Sequence, residues 1–371
     1  MHHSSLFLGF VLSSALASGA TGQTPPLLLF PEPPPDTIEE LLVKPGISPP
    51  LALEPSATPT GPVEAAPLSK VDHIATAEVL AAEFDGSPLP DGFSVLTLKL
   101  QILLDQSGMS PGVIDGMNGR NVAKAIAGIE VLMGLPVDGI LDSEVWQRLP
   151  RDTPVLVEYK ITSEDAAGPF LGNVPSDYSE MAKLNSLAYT SPLEMFGERF
   201  HMDVDLLEKL NPGAEFGKPG NRIIVAGANA YSVETPVASL VADKENAQLR
   251  GYDEAGKLVV AYPATIGSDA TPSPSGTHAV NAVATSPVYY YNPDVNFQQG
   301  DNTEKLEIPP GPNNPIGTTW IDLTEPTYGI HGTPEPSKID KTRSNGCIRL
   351  TNWDVEELVG LVRKGVLVEF R

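Results

Sequence analysis

Tyr328-Gly329-Ile330-His331-Gly332-Thr333 is followed, sixteen positions beyond its imidazole, by the thiol of Ser344-Asn345-Gly346-Cys347-Ile348-Arg349-Leu350. Cys347 is the single cysteine of a 371-residue chain. That count excludes an intramolecular disulfide framework and any multi-thiolate zinc or iron–sulfur site. The six histidines, His2, His3, His73, His201, His278 and His331, are too scattered to show ligand spacing, so neither metal nor cofactor is expected. A lone cysteine reads as a buried small side chain, half of an intermolecular disulfide, or a nucleophile. Its neighbours favour the last. Gly346 lets the backbone turn tightly before the thiol, and Arg349 adds positive charge two residues on.

The chemistry asks for these residue types. A free thiol is mostly protonated at neutral pH, and an imidazole within reach can take its proton as the sulfur attacks an amide carbonyl. Negative charge developing on the carbonyl oxygen needs preorganised donors. The N–H groups of Gly346 and Cys347 are the natural candidates, worth about 3 to 4 kcal/mol per donor. Ser344 is also read as a turn former and Arg349 as a partner for a carboxylate such as Asp354.

Around this pair the pattern is one of strands. Ala247 to Tyr252 and Leu258 to Ile266 flank Asp253-Glu254-Ala255-Gly256-Lys257, a hairpin connection, and Thr277 to Thr285 reads as a further strand. Tyr289, Tyr290 and Tyr291 read as a packed strand rather than a sugar platform, and His278 as structural. Thr351-Asn352-Trp353-Asp354 fits a capping box opening a helix with Val355, Leu358, Val359 and Val362 on one face. Val366 to Phe370 closes the chain as a strand.

At these residues the sequence closely resembles the L,D-transpeptidase catalytic domain of the YkuD or ErfK family, whose motif is HGT, a spacer, then S-x-G-C-[IV]-R-[ML]. Thr271-Pro272-Ser273-Pro274-Ser275-Gly276-Thr277 and Pro312-Asn313-Asn314-Pro315-Ile316-Gly317 are similar to two further family elements. The resemblance spans residues 230–371 and implies a mainly β catalytic domain, a β-sandwich with a short helix. It implies Cys347 as nucleophile and His331 as general base, then acid. Gly346 serves as oxyanion element, with Ser344 and Gly332 as orienting neighbours and Arg349 and Asn345 on the substrate side. Where many members carry His between the Ser and the Gly, this chain carries Asn345.

Upstream, Leu96, Leu100, Leu103 and Leu104, then Val122, Ala125, Ile126, Ile129 and Met133, mark two amphipathic helices punctuated by Asp115-Gly116 and Asp138-Gly139 turns. From Leu100 to Leu149 this resembles a peptidoglycan-binding module, placed at residues 70–150. Residues 151–188 read as a linker. Residues 189–228 resemble a small α/β LysM glycan-binding module, a strand–helix–helix–strand unit in which Ser191-Pro192-Leu193-Glu194 replaces the usual Gly-Asp-Thr-Leu.

Between Gln23 and Pro67 lie 13 of the 37 prolines, so residues 23–69 read as a disordered tether. Leu6 to Leu16 is too short to cross a bilayer and reads as a signal-peptide core within residues 1–22, implying export to the periplasm or cell envelope without a transmembrane segment. With 24 basic against 47 acidic side chains and a net charge of -23, nucleic-acid binding is excluded as a sensible class. The family resemblance then implies a multidomain, cofactor-free enzyme. It would act on peptidoglycan tetrapeptide stems through a thioester, release D-Ala, pass the acyl group to an amine, and be acylated by carbapenem-type β-lactams. An L,D-carboxypeptidase, in which water takes the acyl group, and a non-catalytic wall-binding protein are the rival readings.

Overall fold

Four helices begin the computed structural model, which describes residues 74–228, 233–268, 271–295 and 297–371. The apolar stretch Leu6–Leu16 and the proline-rich segment lie outside the described residues. The helices are α1 (Ile74–Ala81), α2 (Val95–Asp105), α3 (Arg120–Met133) and α4 (Ser143–Arg148). Ser94 Oγ accepts the Thr97 N–H at 3.0 Å to start α2, and Asp142 accepts the Val145 N–H at 2.8 Å to start α4. In α3 the expected face is the buried one, with Val122, Ala125, Ile126 and Ile129 in the core, whereas α2 is buried nearly all round, Leu98, Gln101 and Ile102 along with Leu100, Leu103 and Leu104.

Next come β1 (Leu156–Lys160), α5 (Ser163–Ala167), α6 (Tyr178–Met181), α7 (Pro192–Arg199), α8 (Val204–Leu210) and β2 (Arg222–Ala226). β1 and β2 pair antiparallel, Leu156 opposite Ala226 and Lys160 opposite Arg222. The reading of residues 151–188 as a linker is therefore corrected. They hold the first strand of the small α/β unit and an insertion before its helices, whereas the segment after Tyr189 that should have supplied that strand leads directly into α7. A strand whose partner is far away in sequence leaves little local trace. Ser191-Pro192-Leu193-Glu194 is a helix start: Ser191 Oγ accepts the Glu194 N–H at 3.2 Å, and Pro192 takes the first turn, where no amide proton is needed.

The remainder is built from β3 (Ser239–Asp243), β4 (Gln248–Tyr252), β5 (Leu258–Pro263), β6 (Thr265–Ile266), β7 (Gly276–Thr285), β8 (Tyr289–Tyr291), β9 (Leu306–Ile308), β10 (Thr319–Leu323), β11 (Gly329–His331), β12 (Ile348–Arg349), α9 (Asn352–Leu361) and β13 (Leu367–Phe370). Nine strands form one mixed sheet in the order β5-β4-β3-β13-β7-β10-β11-β12-β6. Its two edge strands, β5 and β6, are separated in sequence by Ala264 alone, so the sheet must curl until its edges meet. The result is two β layers around a core that includes Leu240, Val260, Ile321, Ile330, Ile348 and Val368, with Val355, Leu358 and Leu361 of α9 packed in. β8 and β9 stand apart as a hairpin.

The helical part is fused to this sheet rather than strung beside it. Gly108 and Ser110 exchange backbone hydrogen bonds with edge-strand residue Ala261, both at 2.9 Å. Ile114 does the same with the turn between α7 and α8, through His201 and Asp203. Leu258 and Ala261 of β5 belong to the core of the helical modules. All described residues lie in one compact unit.

Candidate active site

β11 and β12 are neighbouring parallel strands, with Ile330 beside Ile348 and His331 beside Arg349. Ile330 and Ile348 point into the core, both fully buried. Strand alternation then turns His331 and Arg349 to the opposite face, and Cys347, one step before β12, with them. The structure thus brings His331, Arg349 and Cys347 together on the side of the sheet away from the core.

Each of the three is set by its surroundings. The His331 ring stacks on Trp320 of β10, centroids 5.6 Å apart and 20° between planes. Its Nδ1 donates to the Gly332 carbonyl at 2.7 Å, which fixes the proton on that nitrogen and leaves Nε2 with its lone pair. Burial and the Arg349 guanidinium push its pKa down to about 3, so the ring is neutral across the physiological range. Cys347 Sγ, partly exposed, faces the Thr327 carbonyl at 3.8 Å. Burial raises its pKa above the ordinary thiol value, against the pull of the Gly329 N–H and of Arg349. The Arg349 Nε is buried without a hydrogen-bond partner. The resting pair is therefore a neutral thiol and a neutral imidazole, not a thiolate beside an imidazolium.

The cysteine turn is held by side chains from a distant loop. Ser344 Oγ donates to the Cys347 carbonyl at 2.6 Å and accepts the Gly267 N–H at 2.7 Å. Thr271 Oγ1 donates to the Ser344 carbonyl at 3.1 Å, and Ser273 Oγ to the Gly346 carbonyl at 2.7 Å. The Thr271–Thr277 element thus acts as a brace for the thiol-bearing turn. Gly346 has φ +103°, and a Cβ there would run into the Tyr328 ring at 2.6 Å, so both conformation and space demand glycine. Asn345 is exposed at the rim. Asp354 lies elsewhere: its N–H donates to Thr351 Oγ1 at 3.1 Å and its carboxyl is bonded to Ser110, so it is not the partner of Arg349.

Aromatic residues that sequence reasoning did not assign to the site crowd it. Tyr178 of α6 packs edge-on against Tyr289 and Tyr291 of the β8–β9 hairpin at 5.9 and 5.2 Å. Met181, Leu187, Tyr291 and Ile308 form a small core beneath this contact. Tyr178 lies in the field of Arg349, and Tyr289 in that of Cys347. Burial raises both phenols, Tyr178 to about 12. The insertion between β1 and α7, expected as a linker, therefore supplies part of the wall beside the thiol. Residues 289–291 do form a strand, but their first ring borders the site rather than only packing.

Comparison with known proteins places the chain in a family. The family model of the L,D-transpeptidase catalytic domain (YkuD) matches residues 238–369, and that of a peptidoglycan binding domain matches residues 96–149. A Bacillus licheniformis protein that carries the name L,D-transpeptidase YkuD is 32% identical over 178 residues, covering 47% of this chain and 91% of that protein. The Escherichia coli K12 protein named L,D-transpeptidase YbiS is 26% identical over 206 residues, covering 53% of this chain and 67% of its own. Among solved structures, an Enterococcus faecium L,D-transpeptidase variant is 20% identical with a TM-score of 0.28, covering 40% of this chain and 53% of that one. The Mycobacterium tuberculosis L,D-transpeptidase 3 with a faropenem-derived adduct is 17% identical with a TM-score of 0.31, covering 40% of this chain and 66% of that one. This chain thus spans about half to two thirds of the length of those two structures. On sequence, the chain belongs to the YkuD family of L,D-transpeptidases, with a peptidoglycan-binding domain ahead of the catalytic one.

Proposed function

We propose that the chain cross-links or decorates peptidoglycan by cysteine-dependent acyl transfer. One observation carries this reading: His331 and Cys347 sit on the same outward face of two adjacent strands, with Arg349 beside both. As Sγ attacks the carbonyl at the L-centre of a tetrapeptide stem, its proton passes to Nε2 of His331. The carbonyl oxygen becomes an oxyanion, held by the N–H groups of Gly346 and Cys347. Collapse breaks the C–N bond, D-Ala leaves as an amine carrying the proton from the imidazolium, and the acyl group remains on sulfur as a thioester. An acceptor amine then gives up a proton to His331 as it attacks, forming the new amide and restoring the thiol.

The Arg349 guanidinium, whose buried Nε has no hydrogen-bond partner, is suited to a stem carboxylate, and Asn345 at the rim to the peptide backbone. Ser344 and Gly332 hold the thiol turn and the imidazole in register. The helical modules add affinity for the wall, residues 70–150 and 189–228 contacting peptide and glycan. Residues 1–22 direct export to the periplasm or envelope. A carbapenem-type β-lactam offers Sγ a strained amide and acylates it in place of the stem.

Incubation of the purified chain with tetrapeptide stems, followed by product analysis, tests the reading. It expects free D-Ala and cross-linked dimer, and neither with Cys347→Ala. Trimmed tripeptide alone would make the protein an L,D-carboxypeptidase. Unchanged turnover in Cys347→Ala would remove the cysteine from the mechanism.

A further inference from the structure

Asn352, the first residue of α9, sits between the helical modules and the imidazole. Its Oδ1 accepts the Thr318 N–H at 3.2 Å and sits between Gly317 and Gly332, where a Cβ on either glycine would collide with it. Gly332 is the residue whose carbonyl holds His331 Nδ1. On its other side, Asn352 Nδ2 donates to both carboxyl oxygens of Glu198 at 3.1 and 2.9 Å, and to the Pro312 carbonyl at 3.2 Å. Glu198 lies on α7, in the small α/β unit outside the segment that matches the catalytic family model. It is 9% exposed.

This part of α7 is fastened to the same loop at a second point. Asn313 Nδ2 donates to Glu194 Oε1 at 2.7 Å, and Leu187 exchanges backbone hydrogen bonds with Pro310 and Asn313 at 2.8 and 2.9 Å. The loop from Pro310 to Thr318 that carries Gly317 is thereby gripped by the α/β unit. A carboxamide can rotate by half a turn and exchange its donor and acceptor ends. Glu198, an acceptor facing Nδ2, selects the orientation that leaves Oδ1 for Thr318 and the glycine junction.

We propose that Glu198 is a positioning residue for the catalytic imidazole: by orienting Asn352 it fixes the Gly317–Gly332 junction, and so the carbonyl that holds His331 in its Nε2-basic tautomer. The α/β unit is then part of the active site's framework as well as a candidate wall-binding surface. This rests on His331 being the base. Burial, with Glu356 and Glu194 nearby, raises Glu198 to about 8 against the effect of the Asn352 hydrogen bond, and a glutamine there keeps one acceptor oxygen for Nδ2 without the charge.

The test compares Glu198→Ala, Asn352→Ala, the double variant and Glu198→Gln in the full chain. Leu207→Ala, a truncation in the core of the same unit away from Asn352, serves as control. Turnover of tetrapeptide stems and the side-chain nitrogen NMR signals of His331 are both read. Glu198→Ala and Asn352→Ala are each expected to lower kcat about 10- to 100-fold with KM unchanged, the double variant no further than the worse single. Nδ1 and Nε2 should show mixed protonation in all three. Glu198→Gln should return kcat to within a few-fold and restore the single tautomer, and Leu207→Ala should lower the melting temperature with the tautomer intact. A Glu198→Ala chain with the wild-type His331 signals overturns the proposal, whatever its turnover. So do additive losses in the double variant. Should Glu198→Ala fail to fold, Glu198→Leu, which fills the space without an acceptor, takes its place under the same criteria. If it also fails to fold, Asn352→Ala decides, and wild-type His331 signals there overturn the proposal equally. If no variant turns over stems because the transpeptidase reading is wrong, the NMR arm still decides this inference.

Discussion

Two buried clusters of titratable groups face each other across Asn352, and both are driven toward neutrality from opposite directions. Around β11 and β12, the loss of water holds both His331 uncharged and the Cys347 thiol protonated, and the Arg349 guanidinium reinforces the first and opposes the second. Around the start of α9 the groups are acids. Burial pushes Asp354 to about 7 and Glu198 to about 8, and raises Glu357. His201, against the effect of burial, is held above its ordinary value by Asp105 at 3.1 Å, and its ring lies flat on Trp353 at 5.2 Å. His201 apart, exclusion of water, more than any single partner, sets the charge state on both sides. The proposed catalytic pair of Cys347 and His331 rests uncharged, while the module junction buries acids at the cost of pH sensitivity.

Three measurements sharpen that contrast. Removing the proposed base has the largest effect: His331→Gln should lower kcat about 10²- to 10⁴-fold while the thiol remains present and titratable. Retained turnover would place the proton transfer elsewhere. Next is the thiol's own reactivity. With its pKa raised and the imidazole unable to hold a proton above about pH 3, the rate of Cys347 alkylation by iodoacetamide should climb about tenfold per pH unit from pH 6 to 9. A flat rate below pH 7 would reveal a resting thiolate–imidazolium pair and contradict the neutral-pair description.

The smallest effect concerns the acid side. Glu198 and Asp354 have folded pKa values above their ordinary 4.5 and 3.8, so their share of stability is complete below those values and is lost as pH rises toward about 8 and 7. His331 acts oppositely: its share is present above 6.5 and lost as pH falls toward about 3. Stability should therefore decline between pH 5.5 and 8. Glu198→Gln should make that decline shallower by up to about 1.4 kcal/mol per pH unit, read by denaturant unfolding. An identical slope in the variant would show that Glu198 ionises as freely folded as unfolded.

What is legible in the sequence is what is local. Ser344, Gly346, Cys347 and Arg349 lie within six residues, and the helix faces of α2 and α3 repeat at the helical period, so both can be read directly from residue order. The hairpin of β4 and β5 and the capping of α9 by Thr351 are equally local. Trp320 gives no such signal, because its stacking on His331 depends on β10 pairing with β11. Tyr178 and Glu198 reach the site only through the way the β1–β2 unit folds against the 310–318 loop. β1 itself escapes a local reading because its partner strand is separated from it by four helices. The signal that could have been followed is in residues 151–188: Leu156-Val157 and Tyr178 to Leu187 are too apolar for a linker.

Intact-protein mass spectrometry after brief incubation with a tetrapeptide stem or a carbapenem reads the sulfur directly. The wild-type chain should gain the mass of one tripeptide acyl group, or of one opened β-lactam, located on the Cys347 peptide, and Cys347→Ala should gain nothing. An adduct of the same mass on Cys347→Ala, or turnover of stems with the wild-type thiol fully blocked by alkylation, would show that the acyl group does not travel through this sulfur.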